Sequence, residues 1–266
     1  MTSFNFTDAE QILDFLSKTL HKASDALIDI SKNGFEVSFK GNDDPVTTGD
    51  LTVNTILKEE LTSKFPDIGW LSEETRDNPE RLNKKRVWIV DPIDGTREFM
   101  EAIPEYSISV ALVEDGQPII GAVVNPQRKE FFTAIKGKGA YLNGELIHVK
   151  VKLEDKLEIV ASRSEIKRGE WENLAKQAEI IPTGSIAYRL ALVAAGKADA
   201  TFSLRPQHEW DIAAGCLLVE EAGGKISDKY RQSYIFNRKN IHVYSIVGTS
   251  EVSNEIIFEM IEKEMK

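Results

Sequence analysis

The sequence contains one cysteine, Cys216, so an intrachain disulfide is excluded. Histidine is scarce as well. His21, His148, His208 and His242 are scattered, and with a lone thiol they do not make a zinc site. No apolar run is long enough to span a bilayer. Met1-Thr2-Ser3-Phe4-Asn5-Phe6 has neither the basic region nor the apolar core of a signal peptide, so the expected location is the cytoplasm. An excess of positive charge is also missing. The formal net charge is −10 and no Lys/Arg cluster stands out, which argues against a nucleic-acid surface. Internal repeats and low-complexity segments are absent.

The 266 residues suffice for a large core, as one domain or two tightly packed halves. The stretch that organises the rest is Arg86-Val87-Trp88-Ile89-Val90-Asp91-Pro92-Ile93-Asp94-Gly95-Thr96-Arg97-Glu98-Phe99. A β-rich apolar run ends in two carboxylates three positions apart, followed by Gly-Thr and a helix start. Pro92 pushes Asp91 toward extended backbone, and Gly95 permits a tight turn. Asp91 and Asp94 can then converge on one cation while the Gly95 and Thr96 N–H groups face an anion, a magnesium–phosphate arrangement. The plainer reading, two carboxylates capping a turn, stays open at this point. A haloacid-dehalogenase motif fails because its nucleophile position is Pro92. An EF-hand fails because no alternating acidic run ends in Glu.

Along the chain, Thr7-Asp8-Ala9-Glu10 has capping-box spacing, and apolar residues at helical period predict a helix to about Ser31. Phe35 to Phe39 reads as a strand and Asn42 to Pro45 as a turn. A second helix follows Val46 to Asp50, where Asp50 suits the first turn as a cap. Gly69-Trp70-Leu71 leads to Ser72-Glu73-Glu74, and Asp77 to Lys85 reads as an exposed connector. Ile108 to Val113 and Ile119 to Val124 flank an Asp115-Gly116 turn, a hairpin signal extended by Phe131 to Ile135 and Tyr141 to Gly144. This predicts two helices on an antiparallel sheet for residues 1–150. In 151–266, strands are expected at Leu157 to Ala161, Ala198 to Leu204 and Val243 to Val247. Helices are expected at Glu170 to Ala178, after Ser185, at Trp210 to Ala222, and at Val252 to Met265. Such alternation suggests an α/β layer. The boundary is expected near Val149 to Lys156.

Asp50, Glu73-Glu74, Asp91/Asp94 and Asp211 thus fall at element ends. Spacing alone does not bring them together. The set Asp50, Leu71-Ser72-Glu73-Glu74, Trp88 to Thr96 and Trp210-Asp211-Ile212-Ala213-Ala214-Gly215 resembles the inositol monophosphatase superfamily of magnesium-dependent, lithium-sensitive phosphatases. The resemblance covers nearly the whole chain. It implies a layered αβαβα sandwich, of α+β or α/β class, like that of inositol monophosphatase and fructose-1,6-bisphosphatase. The N-terminal half would carry most metal ligands and the C-terminal half the substrate pocket.

Within that superfamily, Arg97-Glu98-Phe99 and Ala161-Ser162-Arg163-Ser164 are most similar to the 3'(2'),5'-bisphosphate nucleotidases, although Glu165 replaces their His. That similarity implies hydrolysis of 3'-phosphoadenosine 5'-phosphate to AMP and phosphate. Inositol monophosphate and fructose 1,6-bisphosphate are the alternative substrates, and a non-catalytic magnesium-binding regulator is the alternative of another class. By the resemblance, Glu73, Asp91 and the Ile93 carbonyl hold one Mg2+. Asp91, Asp94 and Asp211 hold a second, and Glu74 serves a weaker third, with Li+ as inhibitor. Thr96, paired with Asp50, orients the attacking water. Gly95 and Thr96 receive the phosphate, and Gly184-Ser185 lies against the substrate. Ser162, Arg163 and Arg189 are candidates for the rest of it. The implied partner is a small phosphate ester, and a homodimer is a family expectation.

Overall fold

The computed structural model describes residues 6–41 and 44–265. The chain begins with α1 (Phe6–Asn33), β1 (Val37–Phe39), β2 (Pro45–Thr47) and α2 (Thr48–Lys64). A meander follows: β3 (Gly69–Ser72), β4 (Arg86–Asp94), the short α3 (Thr96–Met100), β5 (Ser107–Glu114), β6 (Gln117–Asn125), β7 (Glu130–Ile135), β8 (Ala140–Leu142) and β9 (Glu145–Ile147). The second part runs β10 (Glu158–Ala161), α4 (Arg163–Lys167), β11 (Glu179–Pro182), α5 (Ile186–Ala194), β12 (Ala200–Ser203), β13 (Gln207–His208) and α6 (Glu209–Glu221). It ends with β14 (Lys225–Ser227), β15 (His242–Val243), β16 (Ile246–Thr249) and α7 (Asn254–Glu264).

Strands β3 to β9 form a 7-stranded sheet in sequential order, and the 5-stranded sheet has the order β11-β10-β12-β16-β14. Strand periodicity assigns the faces of the first sheet. On β4, Trp88 and Val90 join the core under α1 and α2, with Leu16, Leu27, Leu57 and Leu61. Val87 and Ile89 point the other way, into a core shared with Leu190, Ala214 and Leu217 of α5 and α6. The second sheet covers that helix pair through Val160 and Ile246. Its outer face packs Ile159, Phe202 and Val247 against Trp171 and the Ile257, Phe258 and Ile261 stripe of α7. The result is a layered αβαβα arrangement. Because both sheets lie between helices, β4, β5 and β6 are nearly continuous apolar runs rather than alternating ones.

Layers this close need small residues where backbones meet. A Cβ on Gly121 of β6 would lie 3.0 Å from the Ala214 carbonyl of α6. A Cβ on Gly215 would lie 2.6 Å from Leu190 Cδ1 and 2.7 Å from Leu190 Cβ, where α5 crosses α6. The Ala213-Ala214-Gly215 run after Asp211 therefore lets one helix touch both a sheet and a second helix.

Several expectations need correction. The first sheet is mixed, since β3 runs parallel to β4. Glu170 to Ala178 is a series of turns with a 3-10 segment, Leu174–Lys176, rather than an α-helix. Gly169, at φ +81°, closes α4, and Trp171, Leu174 and Ala178 still bury on one side, which satisfies the apolar spacing without a helix. Strands β2, β9, β11, β13 and β14 escaped notice because they are short, and Pro45, expected in a turn, opens β2. Val243 to Val247 is split between β15 and β16, which belong to different sheets. The Asp77 to Lys85 connector holds a 3-10 turn whose Arg81 is buried, donating to Asp77, to Asn237 and to the Arg238 carbonyl. Helix α1 starts at Phe6, so Thr7 lies inside it rather than at its cap. Asn42 and Asp43 fall outside the described residues. No helix among those residues is long and apolar enough to cross a membrane.

Gly215→Val tests the helix crossing. Overpacking against Leu190 should cost about 2–3 kcal/mol, lowering the melting temperature by roughly 4–12 °C. An unchanged melting curve would mean that α5 can move away freely.

Candidate functional site

The carboxylates of β4 meet at a fault in the sheet. Asp91 pairs with Ser109 and Asp94 with Ser107 on β5, so Pro92 and Ile93 on one strand lie opposite Ile108 alone on the other. A bulge of this kind turns side chains out of the strict alternation. Gly95, at φ +95°, then reverses the chain into α3, and a Cβ there would sit 3.3 Å from both the Glu105 carbonyl and Tyr106 Cα.

Asp50 reaches this point from the first turn of α2. Its Oδ2 accepts from the Thr47 N–H at 2.7 Å and the Thr47 hydroxyl at 2.6 Å, closing a capping box. Its Oδ1 lies 3.0 Å from Thr96 Oγ1, which donates to it. Capping and pairing with Thr96 are therefore both met, one by each oxygen. The Thr96 hydroxyl also lies 3.1 Å from the Ile93 carbonyl, so its single proton has two acceptors within reach.

Asp91 is buried in the floor, and its Oδ1 has no hydrogen-bond partner among the described residues. Burial raises its pKa well above the usual carboxylate range, and the nearby charges of Glu73, Asp94, Asp211 and Asp50 raise it further. Asp211, at the start of α6, is raised by burial and by Asp94, although the His208 N–H donates to its Oδ2 at 2.6 Å. Burial raises Asp94 too, against the Ala187 N–H and the Ser185 hydroxyl, each 2.7 Å from Oδ2. Glu73 is pushed up to about 7, chiefly by burial, with Lys40 opposing. Lys40 Nζ donates to Glu73 Oε1 at 3.2 Å and to Glu74 Oε1.

The fold thus brings Asp50, Glu73, Asp91, Asp94, Thr96 and Asp211 into one electrostatic neighbourhood, with Glu74 at its edge. Among the described residues, no three acidic, histidine or cysteine side chains are placed to hold a metal ion as they stand. Asp94, Asp211 and Glu73 each turn an oxygen to a protein donor. In donor type and charge the set fits a hard divalent cation: every donor is oxygen, the carboxylates repel one another, and Asp91 Oδ1 is buried and unpaired.

The other candidates divide. Ser185, at φ +53°, caps α5 by accepting from the Tyr188 N–H at 3.0 Å and joins the site through Asp94. Gly184 has no room for a side chain, since a Cβ would be 2.5 Å from Glu98 Cγ. Arg163 donates twice to Glu105, at 2.7 and 2.8 Å. Burial alone would raise Glu105, but Arg163 and the Gly184 N–H outweigh it and hold the carboxyl below its usual range. Arg189 is buried, donating to Thr201 Oγ1 at 3.2 Å, with Nε unpaired among the described residues. Ser162 caps α4, and Glu165 accepts from Trp171 and Ser203 inside the second half. Lys40 and Glu105 were missed, because nothing local marks a lysine in a hairpin or a glutamate on a strand connector as facing this site.

A model of the inositol monophosphatase family matches residues 8–265. Fructose-1,6-bisphosphatase/inositol-1-monophosphatase of Thermotoga maritima is 34% identical over 259 residues, covering 92% of this chain and 98% of the relative. Inositol-1-monophosphatase of Mesorhizobium japonicum is 37% identical over 203 residues, covering 73% and 75%. The solved inositol monophosphatase of Thermotoga maritima has a TM-score of 0.83 at 30% identity, covering 95% of this chain and 97% of that one.

The buried carboxylates predict a pH dependence. A raised folded pKa means that the folded form holds a proton the unfolded chain has already released. Stability from Glu73 is therefore present below about 4.5 and lost as pH rises through about 7. In chelator the melting temperature should fall between pH 5 and pH 8. Asp91→Asn should raise it at pH 8. A flat profile for the wild type would remove the like-charge cluster.

Proposed function

The chain belongs to the inositol monophosphatase family of phosphatases, and from that premise we propose a magnesium-dependent phosphomonoesterase whose substrate is an inositol phosphate or a sugar phosphate such as fructose 1,6-bisphosphate. The observation that carries the reading is the unpaired, buried Asp91 Oδ1 beside the Asp50–Thr96 pair. Carboxylates that repel each other in a dry floor are stable only when a cation or protons compensate them.

In this reading Glu73, Asp91, the Ile93 carbonyl, Asp94 and Asp211 hold Mg2+ in two positions, with Glu74 serving a third. Bound there, magnesium supplies Lewis-acid activation of water and charge neutralisation at the phosphoryl oxygens. The chain's own groups do the rest. Asp50 Oδ1 draws the Thr96 proton, so the Thr96 oxygen presents a lone pair to the attacking water and receives its proton as Thr96 passes its own to Asp50. Burial raises the Asp50 pKa, which suits it to take that proton. The Gly95 and Thr96 N–H groups at the start of α3 receive the phosphate, and the Gly184-Ser185 turn walls the alcohol side.

The names of the relatives favour inositol or sugar phosphate. Glu165 supports this reading too, because it occupies the position where the nucleotidase resemblance expects His yet is buried against Trp171 and Ser203. A second reading, 3'-phosphoadenosine 5'-phosphate hydrolysis, is favoured by one observation. The two stretches that carry the nucleotidase resemblance meet around Gly184, Glu98 by packing and Arg163 through Glu105.

Phosphate release from inositol 1-phosphate, fructose 1,6-bisphosphate and 3'-phosphoadenosine 5'-phosphate, with magnesium and with or without lithium, separates these readings. Preference for the first two supports the proposal. Preference for the adenosine bisphosphate selects the second reading, and silence on all three refutes both. Thr96→Val and Asp50→Asn should each lower kcat by about 10²–10⁴-fold at saturating magnesium. Near-normal turnover in both variants would remove the proton path.

A further inference from the structure

We propose that Glu105 is a positioning residue that clamps the Gly184-Ser185 turn onto Asp94, and that Arg163 serves this clamp rather than the substrate. The proposal rests on Asp94 being a metal ligand, as read above. Glu105 lies on the connector between α3 and β5, outside every motif quoted for the site, and is almost fully buried. Its Oε2 accepts from the Gly184 N–H at 3.0 Å and from Arg163 Nε at 2.7 Å. Its Oε1 accepts from Arg163 Nη2 at 2.8 Å. The planar guanidinium thus fixes the carboxylate in two places and leaves one direction for the turn.

The turn needs holding. Ser185 sits at φ +53°, in the left-handed region that strains a non-glycine residue. Its hydroxyl contacts Ser107 Oγ at 2.9 Å and Asp94 Oδ2 at 2.7 Å. Two residues on, the Ala187 N–H also reaches Asp94 Oδ2 at 2.7 Å. Both donors satisfy the same oxygen, so they set the rotation of the carboxylate about its own axis. The connector is held from behind as well: Arg128 Nε and Asn125 Nδ2 donate to the Pro104 carbonyl at 2.8 and 3.1 Å. A path of direct contacts therefore runs from Arg163 through Glu105, Gly184 and Ser185 to Asp94.

Hydrogen-bond partners behind a metal ligand are worth about 10–100-fold in metal affinity or activity. Glu105→Ala should therefore raise the magnesium concentration for half-maximal activity about tenfold. It should also shrink the melting-temperature rise that magnesium produces, with little change in KM at saturating magnesium. Glu105→Gln keeps an oxygen for the Gly184 N–H but turns an NH2 toward Arg163 Nη2, so it should recover part of the loss, and it guards against misfolding of the alanine variant. Arg163→Ala should move magnesium dependence in the same direction by a smaller factor. Wild-type magnesium dependence in Glu105→Ala would overturn the clamp. A raised KM in Arg163→Ala without a magnesium effect would return Arg163 to the substrate. Asp94→Asn is the control. If it keeps the full magnesium-induced shift, the metal reading itself fails; if it abolishes the shift while Glu105→Ala does not alter it, only the clamp fails.

Discussion

The repulsion among Asp91, Asp94, Asp211 and Glu73 is the constraint to which much of the structure answers. Folding brings together carboxylates that water would keep apart, and burial strengthens their repulsion. Each element around them supplies partial compensation. The Ala187 N–H and Ser185 hydroxyl face Asp94, the His208 N–H faces Asp211, and Lys40 faces Glu73 and Glu74. Among the described residues, none donates to Asp91 Oδ1. The site is thus built with a deficit of positive charge, which a cation would make good.

Holding that deficit requires a stiff surround, and the layers provide it. The apolar cores on both faces of the first sheet fix β4, and the bulge between Asp91 and Asp94 aims both side chains at one place. Helix α6 brings Asp211 from the second half of the chain while burying its small residues against the first sheet. Glu209, next to Trp210 in that helix, is fully buried and accepts from the Asn237 and Arg238 N–H groups. This anchors the start of α6 where Asp211 must stand.

Much of this was legible in the sequence because the informative residues are local. Asp91, Asp94 and Gly95 lie on one strand-to-turn segment, and Asp50 and Asp211 fall in the first turns of helices. The meander from β5 to β8 shows as runs broken by turn residues. The strands that were missed are two to four residues long and draw their pairing from distant partners. Trp171, Leu174 and Ala178 have helical spacing yet bury in turns, in one cluster with Phe202. Lys40 and Glu105 face the site only through tertiary contacts, with no spacing rule to mark them. The similarity of Arg163 to a nucleotidase motif named the residue but not the Glu105 that holds it.

The middle layer has a consequence for the chain as an object that can be cut. Helices α5 and α6 come from the second half of the sequence, but they cover one face of the sheet made by the first. A fragment ending near residue 150 would leave Val87, Ile89, Ala111, Val113 and Val123 facing water. The contiguous halves are therefore not interchangeable modules: the first would be sticky and incomplete alone, a candidate for complementation by its missing half rather than for independent life.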